Sequence, residues 1–280
     1  MTMDTSQDRA GSHAIVAALA EDGPPSGCIP PVQAGRRWQW LHGDGGELDL
    51  FVKEVRTARA SEIDSRLALL SCGAELHRVI VRLATAGWPA AVTRQPHRAF
   101  PFHVATMQIT RPTAGQESAQ RRPQPFTATR PGRRSDPDQP IGADTLRFFS
   151  SAVEHAGGEL CLLSAVQVYD LVAATVFGRR SGDLVAPRRR PSPAGAAPPD
   201  QHVVFAILYG RDDRPSTWLR AGEAFGAGCL AAADLEVSIL PFTDAIKNAG
   251  ARENVQRLLP GAGYPYLIMR IASLDTPRAA

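Results

Sequence analysis

Apolar and polar positions alternate in some stretches of this chain and recur every three or four residues in others. "RRWQWLHGDGGELDLFV", from Arg36 to Val52, alternates about a Gly-Asp-Gly-Gly turn and predicts a β-hairpin. "SEIDSRLALLSCGAELHRVIVRLATAGW" places Leu67, Leu70, Ala74, Val81 and Ala84 near helical spacing. It opens with Ser61 and Asp64 as a capping pair and ends at Gly87, so a helix is expected over that span. Before the hairpin, "SHAIVAALAEDG" predicts a short helix ending at Gly23; after the helix, "FHVATMQITR" predicts a strand.

A second run of elements follows residue 140. Helices are expected over about 143–155 and 166–177, and strands in "ELCLLS", "HVVFAILYG", "EVSILPF" and "YPYLIMRIA". "STWLRAGEAFGAGCLAAADLE" is apolar on most helical faces, which predicts a deeply buried helix, and another short helix is expected over about 244–259. The pattern is that of an α+β layer protein in two halves, about 12–110 and 131–272. Proline- and arginine-rich stretches at 111–130 and 179–200 have no apolar period and are expected to be surface loops.

Composition narrows the class without changing it. With 44% hydrophobic and 21% charged residues the 280-residue chain is expected to be globular. No apolar run approaches the roughly 20 residues of a membrane-spanning helix, and "MTMDTSQDRAGSH" lacks a signal peptide's basic start and apolar centre; a cytoplasmic location and no membrane partner are the expectations. A net charge of +3, with no aromatic residue among the arginines of the cluster from Arg179 to Arg190, argues against nucleic acid. Cys28, Cys72, Cys161 and Cys229 are too scattered for a zinc site or a disulfide framework and are expected to be reduced and mostly buried. The seven histidines have no metal-ligand spacing, and His77, inside a predicted helix, is expected to be a hydrogen-bonded core residue.

Two features carry candidate chemistry. "PGRRSDPDQP", residues 131–140, puts Arg133, Arg134 and Ser135 where loop becomes helix, either as solvated charges or as donors to an anion. Arg270 in "LIMRIA" is flanked by strand apolars and is costly to bury without an anionic partner.

The hairpin and helix of the first half, the "GRRSD" turn, "WLRAGEAFGAGCLAAA" and the terminal "GAGYPYLIMRIA" occur in an order that resembles the nitroreductase superfamily, specifically the actinobacterial Acg-like group of flavin mononucleotide (FMN) oxidoreductases. The resemblance runs from about Trp38 to Ala272. It implies an antiparallel sheet flanked by helices, in two fused halves that imitate the dimer of ordinary nitroreductases. It also implies bound FMN, NAD(P)H as electron donor and a small-molecule substrate, in a monomer with an internal pseudo-dimer or in a homodimer. By position it assigns Arg133, Arg134 and Ser135 to the flavin, and Arg270 to its phosphate. The family's Pro-Ser, His-Asn and Gln-Pro-Trp steps correspond to "IPPVQAGRRWQW". Trp38 is retained there, while Pro31, Gln33, Ala34 and Arg36 replace the serine, histidine, asparagine and glutamine, leaving Gln33 and Arg36 as polar contacts to the flavin. Trp38 and Trp40, alternating on one strand face, are equally read as core fillers. The interval between Phe177 and His202 is shorter than the family's flavin-covering segment, which implies an open or lost lid.

Overall fold

The computed structural model describes residues 38–43, 47–53, 61–85, 88–97, 99–109, 140–178 and 203–274. The predicted hairpin is β1 (Trp38–His42) and β2 (Glu47–Val52), paired antiparallel from Trp38 opposite Val52 to His42 opposite Leu48. Helix α1 (Glu62–Thr85) follows, then β3 (Ala90–Arg94) and β4 (His103–Ile109). The second run comprises α2 (Ala143–His155), β5 (Glu159–Leu162), α3 (Ala165–Gly178), β6 (Val203–Gly210), α4 (Pro215–Asp234), β7 (Val237–Phe242), α5 (Asp244–Lys247), α6 (Ala249–Gln256) and β8 (Tyr264–Ser273).

These strands form two four-stranded antiparallel sheets, ordered β1-β2-β4-β3 and β5-β6-β8-β7. Each sheet places its first, second, fourth and third strands side by side, although α3 separates β5 from β6 where β1 and β2 form a hairpin, and α5 and α6 separate β7 from β8. The two share a further detail: the register between second and fourth strands slips once, at Leu50/Phe51 in one and at Leu208/Tyr209 in the other. A slip of this kind bends a strand and increases its twist, so both sheets curve at corresponding rungs.

The alternation in β2 and β4 does what it predicts. Leu48, Leu50, Ala105 and Met107 point inward and are fully buried or nearly so, while Glu47, Asp49 and Thr106 lie on the opposite face. Strand β8 is mostly apolar, Arg270 being its one charged residue, and mostly buried, as a central strand requires.

Helices α1 and α4 lie against each other at the centre of the molecule. Their contact is possible because two glycines remove the side chains that would keep the backbones apart. A methyl group at Gly73 would collide with the Leu219 carbonyl oxygen, and one at Gly222 with that of Leu70. Leu67, Leu70, Leu76, Trp218, Leu219 and Phe225 fill the surrounding core, each worth about 1.5–3 kcal/mol or more when withdrawn from water.

The capping pair read in the sequence is present. Asp64 Oδ2 accepts from the Ser61 backbone N–H at 3.2 Å and from its hydroxyl at 2.9 Å. Lys247 of α5 binds the other oxygen at 3.1 Å, fastening the helix start to the second half. The single helix expected over 244–259 is two. Asn248 takes an extended conformation between α5 and α6, and its side chain caps α6 by accepting from Ala251 N–H at 3.0 Å. Strand β3 was not anticipated; it is short, alanine-rich and at a sheet edge. No helix among the described residues is long and apolar enough to cross a membrane.

Candidate functional site

Polar side chains gather at three places around the central helix pair. On α1, Glu75 and Arg78 form a buried two-point ion pair, with Nε to Oε2 at 2.9 Å and Nη2 to Oε1 at 2.7 Å. Trp40 Nε1 donates to Glu75 at 3.3 Å. The tryptophans of β1 therefore face α1: Trp38 is buried in the core, and Trp40 is anchored to the helix through the indole N–H.

The second cluster joins the two halves. Arg94, the last residue of β3, reaches the carboxylate of Glu223 on α4 with Nε at 2.7 Å and Nη2 at 2.6 Å. His77 of α1 lies in the same electrostatic neighbourhood: burial pushes its pKa down, and Glu223 opposes that shift more weakly. The Arg94 guanidinium is held above its usual range first by its hydrogen bonds to Glu223, with burial acting against them.

The third lies on the outer face of the first sheet. Thr106 Oγ1 donates to Asp49 Oδ1 at 2.7 Å, and His103 Nε2 lies 2.9 Å from the same oxygen and 3.0 Å from the Thr106 hydroxyl. The His103 ring is stacked on Phe51 at 4.5 Å between centroids. Since His103 pairs with Phe51, and Asp49 with Thr106, the cluster straddles the register slip and pins β2 to β4 there.

The residues singled out from the sequence are distributed as follows. Gln33, Arg36, Arg133, Arg134 and Ser135 lie outside the described residues, as do the whole 111–130 and 179–200 segments. Trp38 and Arg270 are described, and they lie in different sheets. Arg270 occupies the centre of a cross-strand row, between Phe205 of β6 and Leu240 of β7. Its face of the sheet is opposite that of Leu208, which approaches α4 beside Gly158 and Ala224. Leu240 and Phe242 are exposed there, and the Phe242 ring lies 6.3 Å from that of Phe205. Among the described residues no hydrogen bond or ion pair engages the half-buried Arg270 guanidinium. An arginine set in an apolar, partly open sheet face is suited to a ligand that is apolar in its body and anionic at one end.

Sequence reasoning did not find Arg94, Glu223 or the Asp49–His103–Thr106 cluster. One signal was available for Glu223: it is the only carboxylate within "WLRAGEAFGAGC", a stretch that is apolar apart from Arg220 and Glu223 itself. Cys72 and Cys229 are buried, Cys161 is partly so, and all three are free thiols. Burial pushes the Cys72 thiol far above its ordinary range, so it is inert at neutral pH.

No family model matches the chain. Curated relatives do. The putative NAD(P)H nitroreductase Rv3131 of Mycobacterium tuberculosis is 24% identical over 281 residues, covering 86% of this chain and 81% of the relative. Two shorter likenesses come from the same organism. The uncharacterized protein Rv3127 is 35% identical over 95 residues, 32% of this chain and 28% of the relative. The putative NAD(P)H nitroreductase acg is 33% identical over 81 residues, 29% of this chain and 24% of the relative. The two four-stranded antiparallel sheets and their helices are compatible with a nitroreductase-like fold. With that architecture and a likeness extending over most of its length, the chain is a divergent nitroreductase-like protein.

Proposed function

We propose that this protein is an FMN-dependent oxidoreductase that takes reducing equivalents from NAD(P)H and delivers them to a nitro, quinone or related small-molecule acceptor, or that dehydrogenates a small metabolite. The observation that carries the reading is the likeness, over 86% of this chain, to a relative named as a putative nitroreductase, together with two sheets of the same strand order around one helix pair. Two halves, about 12–110 and 131–272, would then be fused equivalents of the two subunits of the family dimer. The Gly73–Gly222 contact of α1 with α4 would stand where two subunits otherwise meet.

Arg270 provides the fit to such a cofactor. Its guanidinium has aromatic and aliphatic neighbours and no anionic partner among the described residues, which suits the phosphate of a flavin nucleotide. Arg133, Arg134 and Ser135 would hold phosphate or ribityl oxygens through charge-assisted hydrogen bonds. Gln33 and Arg36 would offer polar contacts to the ring, Arg36 stabilising negative charge on its reduced form. Trp38, being buried, would back the strand from the core side. Bound flavin supplies hydride transfer; the protein supplies binding, orientation and charge, so no side chain is assigned as acid or base.

The test is the absorption spectrum of freshly purified protein, followed by titration with FMN. Yellow protein, or micromolar or tighter binding corresponding to about 8 kcal/mol, is expected. Colourless protein whose melting temperature does not respond to saturating FMN overturns the reading.

A further inference from the structure

The outer face of the first sheet holds an imidazole nitrogen that nothing in the fold uses. Asp49 Oδ1 is a carboxylate oxygen and can only accept, so His103 Nε2, 2.9 Å away, carries its proton toward it. In the neutral ring the lone pair then sits on Nδ1, and among the described residues no hydrogen bond or ion pair reaches that atom. The His103 side chain is only 9% exposed. A lone pair so far withdrawn from solvent and left without a donor is unfavourable unless something binds it. A second imidazole lies beside it: the His97 ring is 5.6 Å from that of His103 between centroids and tilted by 45°. His97 is exposed, and among the described residues its nitrogens make no hydrogen bond, so its ring can turn without losing a partner. Its backbone is held more firmly. The Gln95 N–H donates to the Val104 carbonyl at 2.8 Å, the Phe100 N–H to the His97 carbonyl at 3.1 Å, and the His103 N–H to the Phe100 carbonyl at 3.0 Å. Gln95 takes φ 47°, a left-handed conformation that a residue with a side chain adopts at a cost, where the chain leaves β3 and turns back toward β4.

We infer that His97 and His103 bind one monovalent copper ion between their rings, with Asp49 holding His103 from behind through Nε2. Two imidazole nitrogens each about 2 Å from one ion set their ring centroids roughly 6 Å apart when the three atoms are in line, and closer when they bend. The observed 5.6 Å fits a slightly bent pair. The choice of ion follows from the number of ligands. Among the described residues no three histidine, cysteine or acidic side chains converge to hold a metal, and zinc, calcium and magnesium take four or more ligands. Monovalent copper, with its filled d shell, is satisfied by two nitrogens nearly in line, and imidazole is among the ligands copper takes. The surroundings are those of a metal-binding histidine: a carboxylate on the other ring N–H, and apolar groups outside it. Asp49 supplies the first and offsets the charge of the ion, while Thr106 Oγ1 fixes its carboxylate at 2.7 Å. Phe51, stacked on His103 at 4.5 Å, and Phe100, edge-on to His97 at 6.2 Å, supply the second. Such a shell favours the singly charged ion over divalent copper, because the smaller charge is less costly to desolvate. Residues 97 and 103 have no metal-ligand spacing in the sequence; the turn between β3 and β4 brings them together.

The chain's four cysteines also attract monovalent copper, so the test separates nitrogen from sulfur. The full chain, with its accessible thiols alkylated by N-ethylmaleimide, is titrated with copper(I) without oxygen against bicinchoninate, a chromophoric competitor. The loaded protein is then examined by X-ray absorption at the copper edge. One equivalent of copper and a shell of two nitrogens without sulfur are expected. Asp49→Asn should weaken binding about ten- to a hundredfold, and His97→Ala, which removes a ligand itself, by about a hundredfold or more. His97 is exposed, so its removal leaves the core intact, and circular dichroism checks the fold of both variants. Copper held as tightly by His97→Ala as by the wild type overturns the site, as does a sulfur shell in the loaded protein. Zinc that displaces the copper overturns the choice of ion. The site draws on neither flavin nor NAD(P)H: a protein that binds copper here and no FMN keeps this site and loses the proposed function.

Discussion

Arg94 and Glu223, 129 residues apart in the chain, meet in a two-point ion pair at 2.7 and 2.6 Å that ties the edge strand of one sheet to the central helix of the other half. The pair is asymmetric in its surroundings: the Arg94 side chain is 42% exposed and that of Glu223 only 9%. Cutting Arg94 back to alanine therefore leaves a buried carboxylate with its principal donor gone, although water can reach the vacated side. The expected loss is about 1–3 kcal/mol of unfolding free energy, less than for a fully buried pair because solvent screens the exposed partner. Urea denaturation of Arg94→Ala, Glu223→Gln and the double variant closes the cycle. Losses that simply add would mean that the two side chains do not act on one another.

The Gly73–Gly222 crossing makes a sharper prediction. Gly73→Ala and Gly222→Ala each drive a methyl into a carbonyl oxygen of the opposite helix, and backbone cannot swing aside as a long side chain can. Each should cost on the order of 4 kcal/mol or more, or abolish folding. Gly250 serves as the control. A methyl there finds only the Asn248 side-chain oxygen at 3.6 Å, so Gly250→Ala should stabilise by about 0.5–1 kcal/mol. Thermal unfolding of the three variants decides the matter. Equal behaviour at all three positions would remove the close approach from the account of the fold.

Much of the fold was legible because its signals are local. The alternation in β2 and the spacing in α1 each place their own apolar face, and Ser61 with Asp64 marks a helix start within four residues. What escaped was weak locally or distant in sequence. Strand β3 is "AAVTR" between Pro89 and Pro96; alanine has little preference for extended structure, and an edge strand tolerates nearby proline. The break at Asn248 is a conformational choice of one residue inside a helical pattern. Arg94 and Glu223 are individually unremarkable, and only the approach of the two halves makes them a pair. Of the candidate site, the sequence placed Arg270 on a strand among apolars; its row with Phe205 and Leu240 required the pairing of three strands.

A third prediction concerns pH. The folded pKa of His77 lies below its unfolded value, burial being the main cause. As the pH falls below about 6.5 the unfolded chain takes up a proton before the folded one does. Stability from this position is thus present above the unfolded pKa and declines as the pH drops toward the folded one. His77→Gln should flatten that part of the stability curve. Asp64 contributes further down the scale: burial raises its pKa, but hydrogen bonds from Ser61 and the Lys247 ammonium outweigh it and leave a net lowering. Its contribution is present above the unfolded carboxylate pKa and is lost as the pH falls through the folded value. Urea midpoints measured across the acid range should show the His77 slope in the wild type and its loss in the variant; an identical slope in both would assign it elsewhere.

The last prediction addresses the cofactor through its proposed cationic contacts. Arg270→Ala removes a guanidinium that no described residue engages, and the double change of Arg133 and Arg134 to alanine removes two more proposed donors. Charge-assisted hydrogen bonds are worth roughly 1.5–3 kcal/mol each, so either variant should lose about tenfold or more in FMN affinity. Apoprotein stability should change little in Arg270→Ala, because a cation with no partner among the described residues gives up only the packing of its stem between Phe205 and Leu240 there. Riboflavin separates the roles. It lacks the phosphate, so a phosphate-binding arginine costs FMN more than riboflavin when removed, whereas one that binds the ribityl chain costs both equally. Fluorescence titration of the two flavins against the three proteins yields the pattern directly. Full FMN affinity in both variants would detach the flavin from these arginines and leave "PGRRSDPDQP" as a connecting segment, because nothing else in that stretch distinguishes an anion-binding turn from a solvated one.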